Sequence, residues 1–116
     1  MSKENKDSVF PPSTAEGAKK KADLAPEQIE VWRNFSKEVF KEGDLSKKTK
    51  QLIAVAVAHV TQCPYCIKAH TKGSKRAGAT NEEIMEAIWV AAEMRAGAAY
   101  AHANIALDQM EKMDKK

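Results

Sequence analysis

Apolar residues recur every three or four positions along most of this chain, which is the spacing of one face of an α-helix. One such segment begins near Pro26, where proline is tolerated at a first helical position, and ends at Gly43. The next runs from Ser46 to about Thr61, and its alanine content favours helix over strand. No segment shows the regular alternation of apolar and polar residues that is typical of a strand. We therefore expect an all-α protein.

Three further helices are predicted after residue 62. Cys63 occupies the expected N-cap position of the third helix, with Pro64 as its first residue and Gly78 near its end. The segment Thr80–Glu83 matches a capping box and opens the fourth helix. Gly97 is expected to break or kink that helix. A final helix is then predicted through Tyr100, Ile105, Leu107 and Met110.

The first 23 residues differ from the rest, because they contain a proline pair, a glycine and a lysine run with almost no apolar periodicity. We predict a flexible N-terminal tail over residues 1–23 and one helical domain over residues 24–116.

Apolar side chains at helical spacing are expected to lie in the core or at an interface, and the methionines are expected to fill gaps. The first set is Trp32, Phe35, Val39 and Phe40, and the second is Met85, Met94, Met110 and Met113.

Composition narrows the functional classes. The 19 basic and 16 acidic residues give a formal net charge of +3, and aromatic residues make up 6%. We therefore expect no nucleic-acid partner, because such partners need a stronger basic face and aromatic platforms for stacking. The chain has no apolar run of about 18–20 residues and no signal-peptide core, so we expect no membrane partner and a cytoplasmic location.

The chain contains two cysteines, Cys63 and Cys66, in the sequence CPYCIKAH. A cysteine at a helix N-terminus is favoured as the reactive thiolate by the helix dipole and the unpaired N–H groups. His70 follows Cys66 by four residues, which places both on one helix face, and it could accept a thiol proton near neutral pH. Cys63, Cys66 and His70 are therefore the candidate catalytic residues. The sequence leaves open which cysteine attacks first.

The same cysteines are compatible with other kinds of site. Zinc needs four ligands, so His59 or His102 would have to join Cys63, Cys66 and His70. Because no second Cys/His cluster completes a usual structural spacing, we expect no metal. Inert buried cysteines form another alternative. A glutaredoxin-like protein would also contain CPYC, but there the motif follows a strand, whereas here it follows an Ala-rich helical run.

The segment Lys48–Gly78 and the continuation NEEIMEAIWVAAEMRAGAAYAHA resemble the alkyl hydroperoxidase D (AhpD) and carboxymuconolactone decarboxylase superfamily. The resemblance covers about residues 26–112. It implies an all-α helical bundle completed by assembly into homotrimers or homohexamers, without a cofactor. It also implies that Cys63 and Cys66 cycle between dithiol and disulfide, with His70 in a proton relay. The substrate would be a hydroperoxide or a disulfide, with a peroxiredoxin or thiol-reductant partner.

One departure from the family pattern concerns the relay. The family's relay glutamate usually lies twelve residues before the first cysteine, where this chain has Gln51, which cannot take up a proton. His59, His102 or Glu93 could supply the missing base, and Gln51, His59 and His102 are auxiliary candidates. We expect a peroxidase or thiol–disulfide oxidoreductase, weakened by Gln51. The alternatives are a carboxymuconolactone decarboxylase-type lyase and a non-enzymatic redox sensor.

Overall fold

A computed structural model describes residues 9–115, and this part of the chain contains helices and no strand, which confirms the all-α prediction. The helices are α1 (Ala15–Leu24), α2 (Pro26–Phe40), α3 (Lys47–Thr61), α4 (Pro64–Arg76), α5 (Asn81–Ala101) and α6 (Ala103–Asp114). Among them, none combines the length and the apolar character that a membrane crossing requires. Two compact units divide the chain, Met1–Lys50 and Gln51–Lys116, so α3 begins in the first and continues into the second.

Helix α1 overlaps the segment 1–23 for which the sequence predicted a flexible tail, and the structure differs from that prediction over residues 15–23. The cause is local capping, because Thr14 has extended backbone angles and its side chain accepts a 3.0 Å hydrogen bond from the N–H of Gly17. Ion pairs between residues four apart, Lys19–Asp23 and Lys20–Glu16, add support along the solvent-facing surface. Residues 1–8 of the predicted tail lie outside the described residues.

Helix α2 begins at Pro26 as predicted but ends at Phe40, three residues before Gly43. The reason is a side chain from the next helix. The ammonium group of Lys50 donates hydrogen bonds to the carbonyls of Val39 and Lys41, at 2.8 and 2.7 Å, and so satisfies carbonyls at the end of α2. The start of α3 agrees with the prediction, since the hydroxyl of Ser46 accepts a 3.1 Å hydrogen bond from the N–H of Thr49.

The aromatic side chains of α2 do not form a core within the first unit. Trp32 and Phe35 are about 60% exposed, with ring centroids 6.0 Å apart, and they line an open groove with Val31. Val39 is also exposed, and Phe40 is half-buried. The helical spacing identified one apolar face correctly, but periodicity alone does not show what covers that face.

The second unit has a small core formed by α3, α5 and the turn between α4 and α5. Val55 is fully buried, and it clusters with Ala79 and Ile84 while Leu52 and Ile88 pack against them. The turn after α4 brings Ala79 into this cluster. That turn needs Gly78, whose φ of +94° lies in the left-handed region, and it lets the N–H of Ala79 bond the carbonyl of Ser74 at 2.9 Å.

Helix α5 starts with the predicted capping box, in which Thr80 and Glu83 exchange hydrogen bonds of 3.0 and 2.8 Å. The predicted break at Gly97 is wrong, since α5 continues through Gly97 and Tyr100 to Ala101, and the turn falls at His102. One glycine costs a helix only about 1 kcal/mol, which the many neighbouring alanines offset.

Helices α5 and α6 leave large apolar side chains exposed. Helix α6 has no buried residue, and its Leu107, Met110 and Met113 project within one face at helical spacing. The methionines that were predicted to fill gaps are exposed, so none of the four fills a gap within this chain. The exposed apolar side chains of this part of the structure are Met85, Trp89, Val90, Met94, Tyr100, Ile105, Leu107, Met110 and Met113.

Candidate redox site

The backbone at the end of α3 determines where the first cysteine lies. Gln62 adopts a left-handed conformation with φ of +57°, and the N–H of Cys63 bonds the carbonyl of Ala58 at 3.1 Å. This six-to-one hydrogen bond is characteristic of the Schellman motif that terminates helices. Cys63 thereby closes α3 and stands immediately before the first residue of α4.

Cys63 also caps the N-terminus of α4, as the sequence predicted. Its backbone is extended, Pro64 follows as the first helical residue, and the carbonyl of Cys63 accepts a 2.9 Å hydrogen bond from the N–H of Ile67. The Cys63 sulfur accepts the backbone N–H of Cys66 at 3.2 Å. An anionic sulfur at this position would be stabilised by that N–H group and by the positive end of the helix dipole.

Cys63 and Cys66 are joined in a disulfide, and their Cα atoms are 5.3 Å apart. That separation lies within the ordinary range for a disulfide, so the pair can close without displacement of the α4 backbone. Both cysteines are half-buried, while Tyr65 between them is exposed. The two cysteine residues are therefore partly accessible at the surface of the second unit.

His70 lies on α4 four residues after Cys66, which on a helix surface brings their Cβ atoms to about 5–6 Å. Its Nδ1 is 2.9 Å from Oε1 of Gln51 on α3. An amide oxygen can only accept, so Nδ1 carries a proton, and in the neutral ring Nε2 carries the lone pair. The structure thus brings Gln51 of α3 and His70 of α4 together.

The other auxiliary candidates are placed differently. His59 donates from Nδ1 to the carbonyl of Val55 at 2.8 Å, so its ring is held against its own helix. His102 is exposed in the turn between α5 and α6 and makes no side-chain capping hydrogen bond there. Glu93 is exposed on α5. Over residues 9–115, no group of three or more His, Cys, Asp or Glu side chains is arranged to hold a metal ion.

Sequence reasoning missed two residues near this site. Arg95 on α5 donates a 2.9 Å hydrogen bond from Nη1 to the carbonyl of Val60, at the end of α3 just before the cysteines. Gly73 on α4 lies against the side chain of Gln51. Neither contact has a local sequence pattern, because the partners are distant in the chain. A glycine inside a helix, three residues after a candidate histidine, was the available indication for the second.

Comparison with known proteins agrees with this fold. The model of the carboxymuconolactone decarboxylase family matches residues 26–109, and the chain belongs to this family. A protein of Paracoccus denitrificans, described as uncharacterized protein 4 in cox locus, is 73% identical over 80 residues, covering 69% of this chain and 72% of that protein. An alkyl hydroperoxide reductase AhpD from Corynebacterium kroppenstedtii is 28% identical over 75 residues, covering 65% of this chain and 43% of that protein.

Solved structures of the family have the same helical fold. A carboxymuconolactone decarboxylase family protein from Legionella pneumophila superposes with a TM-score of 0.67 at 34% identity, covering 86% of this chain and 89% of that one. A family member from Thermotoga maritima, whose description links it to an antioxidative response, gives a TM-score of 0.56 at 27% identity, covering 76% of this chain and 94% of that one. Membership of the AhpD-like superfamily, inferred from the sequence, is therefore confirmed.

Proposed function

We propose that this protein is a thiol oxidoreductase whose Cys63–Cys66 pair reduces disulfides, and hydroperoxides less efficiently. The observation that carries the proposal is the position of Cys63 at the N-cap of α4, with its sulfur 3.2 Å from the N–H of Cys66 and in a disulfide with that residue. This arrangement favours a thiolate and lets the partner cysteine resolve the product within one helical turn.

The proposed reaction is a two-electron exchange. The thiolate of Cys63 attacks one sulfur of the substrate disulfide, forming a mixed disulfide and releasing the first substrate thiolate. Cys66 then loses its proton and attacks the Cys63 sulfur, which releases the second substrate thiolate. The Cys63–Cys66 dithiol is oxidised to the disulfide, and the substrate disulfide is reduced to two thiols. A thiol reductant would return the Cys63–Cys66 disulfide to the dithiol and complete the cycle, and a peroxiredoxin-type partner in its disulfide form would be one substrate that accepts the electrons.

His70 serves the resolving cysteine in this proposal. Its lone pair lies on Nε2 because Gln51 accepts the hydrogen bond from Nδ1. Nε2 would accept the proton of the Cys66 thiol and then protonate the departing thiolate, as a general base and general acid in turn. His70 is one turn from Cys66 on the same helix, so the transfer needs no movement of α4.

The identity of residue 51 favours disulfides over hydroperoxides. Reduction of a hydroperoxide by a thiolate releases an alkoxide, a far stronger base than the thiolate released from a disulfide. An alkoxide needs efficient proton delivery, and Gln51 cannot pass a proton through the relay. The name of the Corynebacterium relative and the description of the Thermotoga structure support a role in peroxide defence for this fold. They support hydroperoxide reduction as the second substrate class for this chain.

The decisive experiment compares the two substrate classes on the reduced protein. Free thiols are titrated before and after addition of one equivalent of a small disulfide or of cumene hydroperoxide, and the product is digested and analysed by mass spectrometry. Loss of two thiols per chain with a Cys63–Cys66 cross-link, faster with the disulfide, is the expected result. Unreactive thiols with both reagents would refute the proposal. The variant with both cysteines replaced by serine is the control for non-specific oxidation.

Assembly into a homotrimer or homohexamer is part of the proposal. The apolar face of α6, formed by Leu107, Met110 and Met113, has no buried residue within one chain, and a face of this kind is stabilised when a second copy covers it. We place the protein in the cytoplasm, where a reducing environment would return the pair to its dithiol form.

A further inference from the structure

Gly73 lies on α4 three residues after His70, and the space beside its Cα atom is filled by Gln51. A Cβ atom added at position 73 would overlap Oε1 of Gln51, and it would lie 2.7 Å from Cδ and 3.2 Å from Nε2 of the same side chain. Oε1 is the atom that accepts the hydrogen bond from His70. A side chain at position 73 and the observed Gln51–His70 hydrogen bond therefore exclude each other.

Gly97, the glycine within helix α5, does not have this property. A Cβ atom at Gly97 would meet its nearest neighbour, the carboxylate of Glu93, at 3.5 Å, which is ordinary van der Waals contact. Gly73 also has no conformational need for glycine, because among the described glycines only Gly78 has a positive φ. Glycine weakens a helix interior, so its presence at position 73 is explained by the room it gives Gln51.

We propose that Gly73 is a positioning residue of the redox site: its missing side chain lets Gln51 lie against α4 and hold His70 with the proton on Nδ1. The geometric part of this inference stands on the contacts of Gly73, Gln51 and His70. Its catalytic consequence rests on the proposed thiol oxidoreductase function, in which Nε2 of His70 is the base for Cys66.

The expected consequence of Gly73→Ala is a change in His70 and not loss of the fold. The clash falls on the far end of the Gln51 side chain, which can rotate away, and alanine is a better helix former than glycine. Once Oε1 has moved, Nδ1 of His70 loses its acceptor, and the proton can shift to Nε2. The nitrogen that served as the base is then protonated in part of the population.

The test is the tautomer of His70, measured by nitrogen-15 NMR of the imidazole ring in the full chain with the ring neutral. The His70→Gln variant identifies its signals among the three histidines. In the native protein we expect the proton on Nδ1, and in Gly73→Ala a mixture of both tautomers. Gly97→Ala is the matched control and should retain the native pattern. An unchanged His70 tautomer in Gly73→Ala would overturn the inference.

A double-mutant cycle tests the same contact through activity. Gly73→Ala and Gln51→Ala should each slow disulfide reduction by about tenfold. This is part of the rate enhancement of about 10²–10⁴-fold that general acid–base catalysis contributes. Since Gln51→Ala removes the side chain that clashes, adding Gly73→Ala to it should have no further effect. Additive losses would contradict the inference. If Gly73→Ala alone fails to fold, the double variant should fold, and unfolding of both would refute the assigned clash.

The proposed function and the proposed role of Gly73 can be refuted independently. If the native protein reduces neither disulfides nor hydroperoxides, the proposed function is refuted, while the NMR comparison still decides whether Gly73 positions Gln51 and His70. If the native protein is active and Gly73→Ala changes neither the tautomer nor the rate, the function stands and the role of Gly73 does not.

Discussion

The side-chain oxygen of Gln51 lies 2.9 Å from Nδ1 of His70, so a neutral amide on α3 orients the histidine that follows the cysteine pair on α4. The contact joins residues 19 positions apart in the sequence. A glutamate in the place of Gln51 would both orient the ring and carry a proton, whereas the glutamine can only orient it. This difference leads directly to a prediction about substrate preference.

Gln51→Glu should raise the rate of hydroperoxide reduction by about tenfold, toward the range expected of a complete proton relay. The reaction with a disulfide should change less, because a thiolate leaving group depends less on protonation. Both rates are measured on the reduced protein by stopped-flow mixing. Gln51→Met, which resembles glutamine in length but cannot accept the His70 hydrogen bond, should slow both reactions. An equal increase for both substrates in Gln51→Glu would contradict the proposed role of the relay.

Cys66→Ser should trap a mixed disulfide between Cys63 and a small disulfide substrate. The expectation follows from the cap geometry, in which the N–H of Cys66 points at the Cys63 sulfur and would stabilise its thiolate. Intact-mass spectrometry measures the adduct, and Cys63→Ser should yield little of it under the same conditions. Stronger trapping by Cys63→Ser would reverse the assignment of attacking and resolving cysteines.

Gln62→Gly should raise the free energy of unfolding of the reduced protein by about 0.5–1 kcal/mol, because Gln62 occupies a left-handed conformation that disfavours side chains. Gly78→Ala is the opposite change at the equivalent position after α4. It should lower the free energy of unfolding by about 1 kcal/mol or more. Urea denaturation at one fixed protein concentration measures both. A loss of stability in Gln62→Gly would show that the side chain makes a compensating contact.

Ser74→Ala should stabilise the protein. The Ser74 side chain is fully buried on α4, and within the described structure its hydroxyl has no hydrogen-bond partner. Burial of such a group costs about 1–3 kcal/mol. Ser36→Ala on α2 is the control, since it measures the gain from helix propensity at a half-buried position. The increase in the free energy of unfolding, measured by urea denaturation, should be about 1 kcal/mol larger for Ser74→Ala than for the control. A decrease in Ser74→Ala would indicate that the hydroxyl is hydrogen-bonded in solution.

Met110→Lys should dissociate the proposed assembly, because it places a charge in the apolar face of α6. Analytical ultracentrifugation of the native protein should give a multiple of the chain mass, and the variant should give the mass of a single chain. Asp108→Lys introduces the same side chain on the opposite, polar face of α6, beside Lys112, and should leave the assembly intact. A monomeric native protein, or equal effects of both variants, would refute this interface.

Local chemistry explains why much of the fold was predictable from the sequence. Ser46, Cys63 and Thr80 each cap a helix through hydrogen bonds to backbone groups three residues away. Such contacts form wherever the sequence places the right side chain before a helix, and they need no other part of the molecule. Helix α1 has the same kind of local signal in its cap, Thr14, although its segment contains few apolar residues.

The sequence by itself determined the helical class, most helix starts and the placement of the two cysteines at the beginning of α4. Only the tertiary structure decided that α5 passes through Gly97, that the apolar faces of α2 and α6 remain uncovered within their units, and that Gln51 meets His70. The contact of Arg95 with Val60, 35 residues apart, belongs to the same group. Caps depend on neighbours in the chain, whereas these features depend on how separate helices pack, and periodicity identifies an apolar face without identifying what it meets.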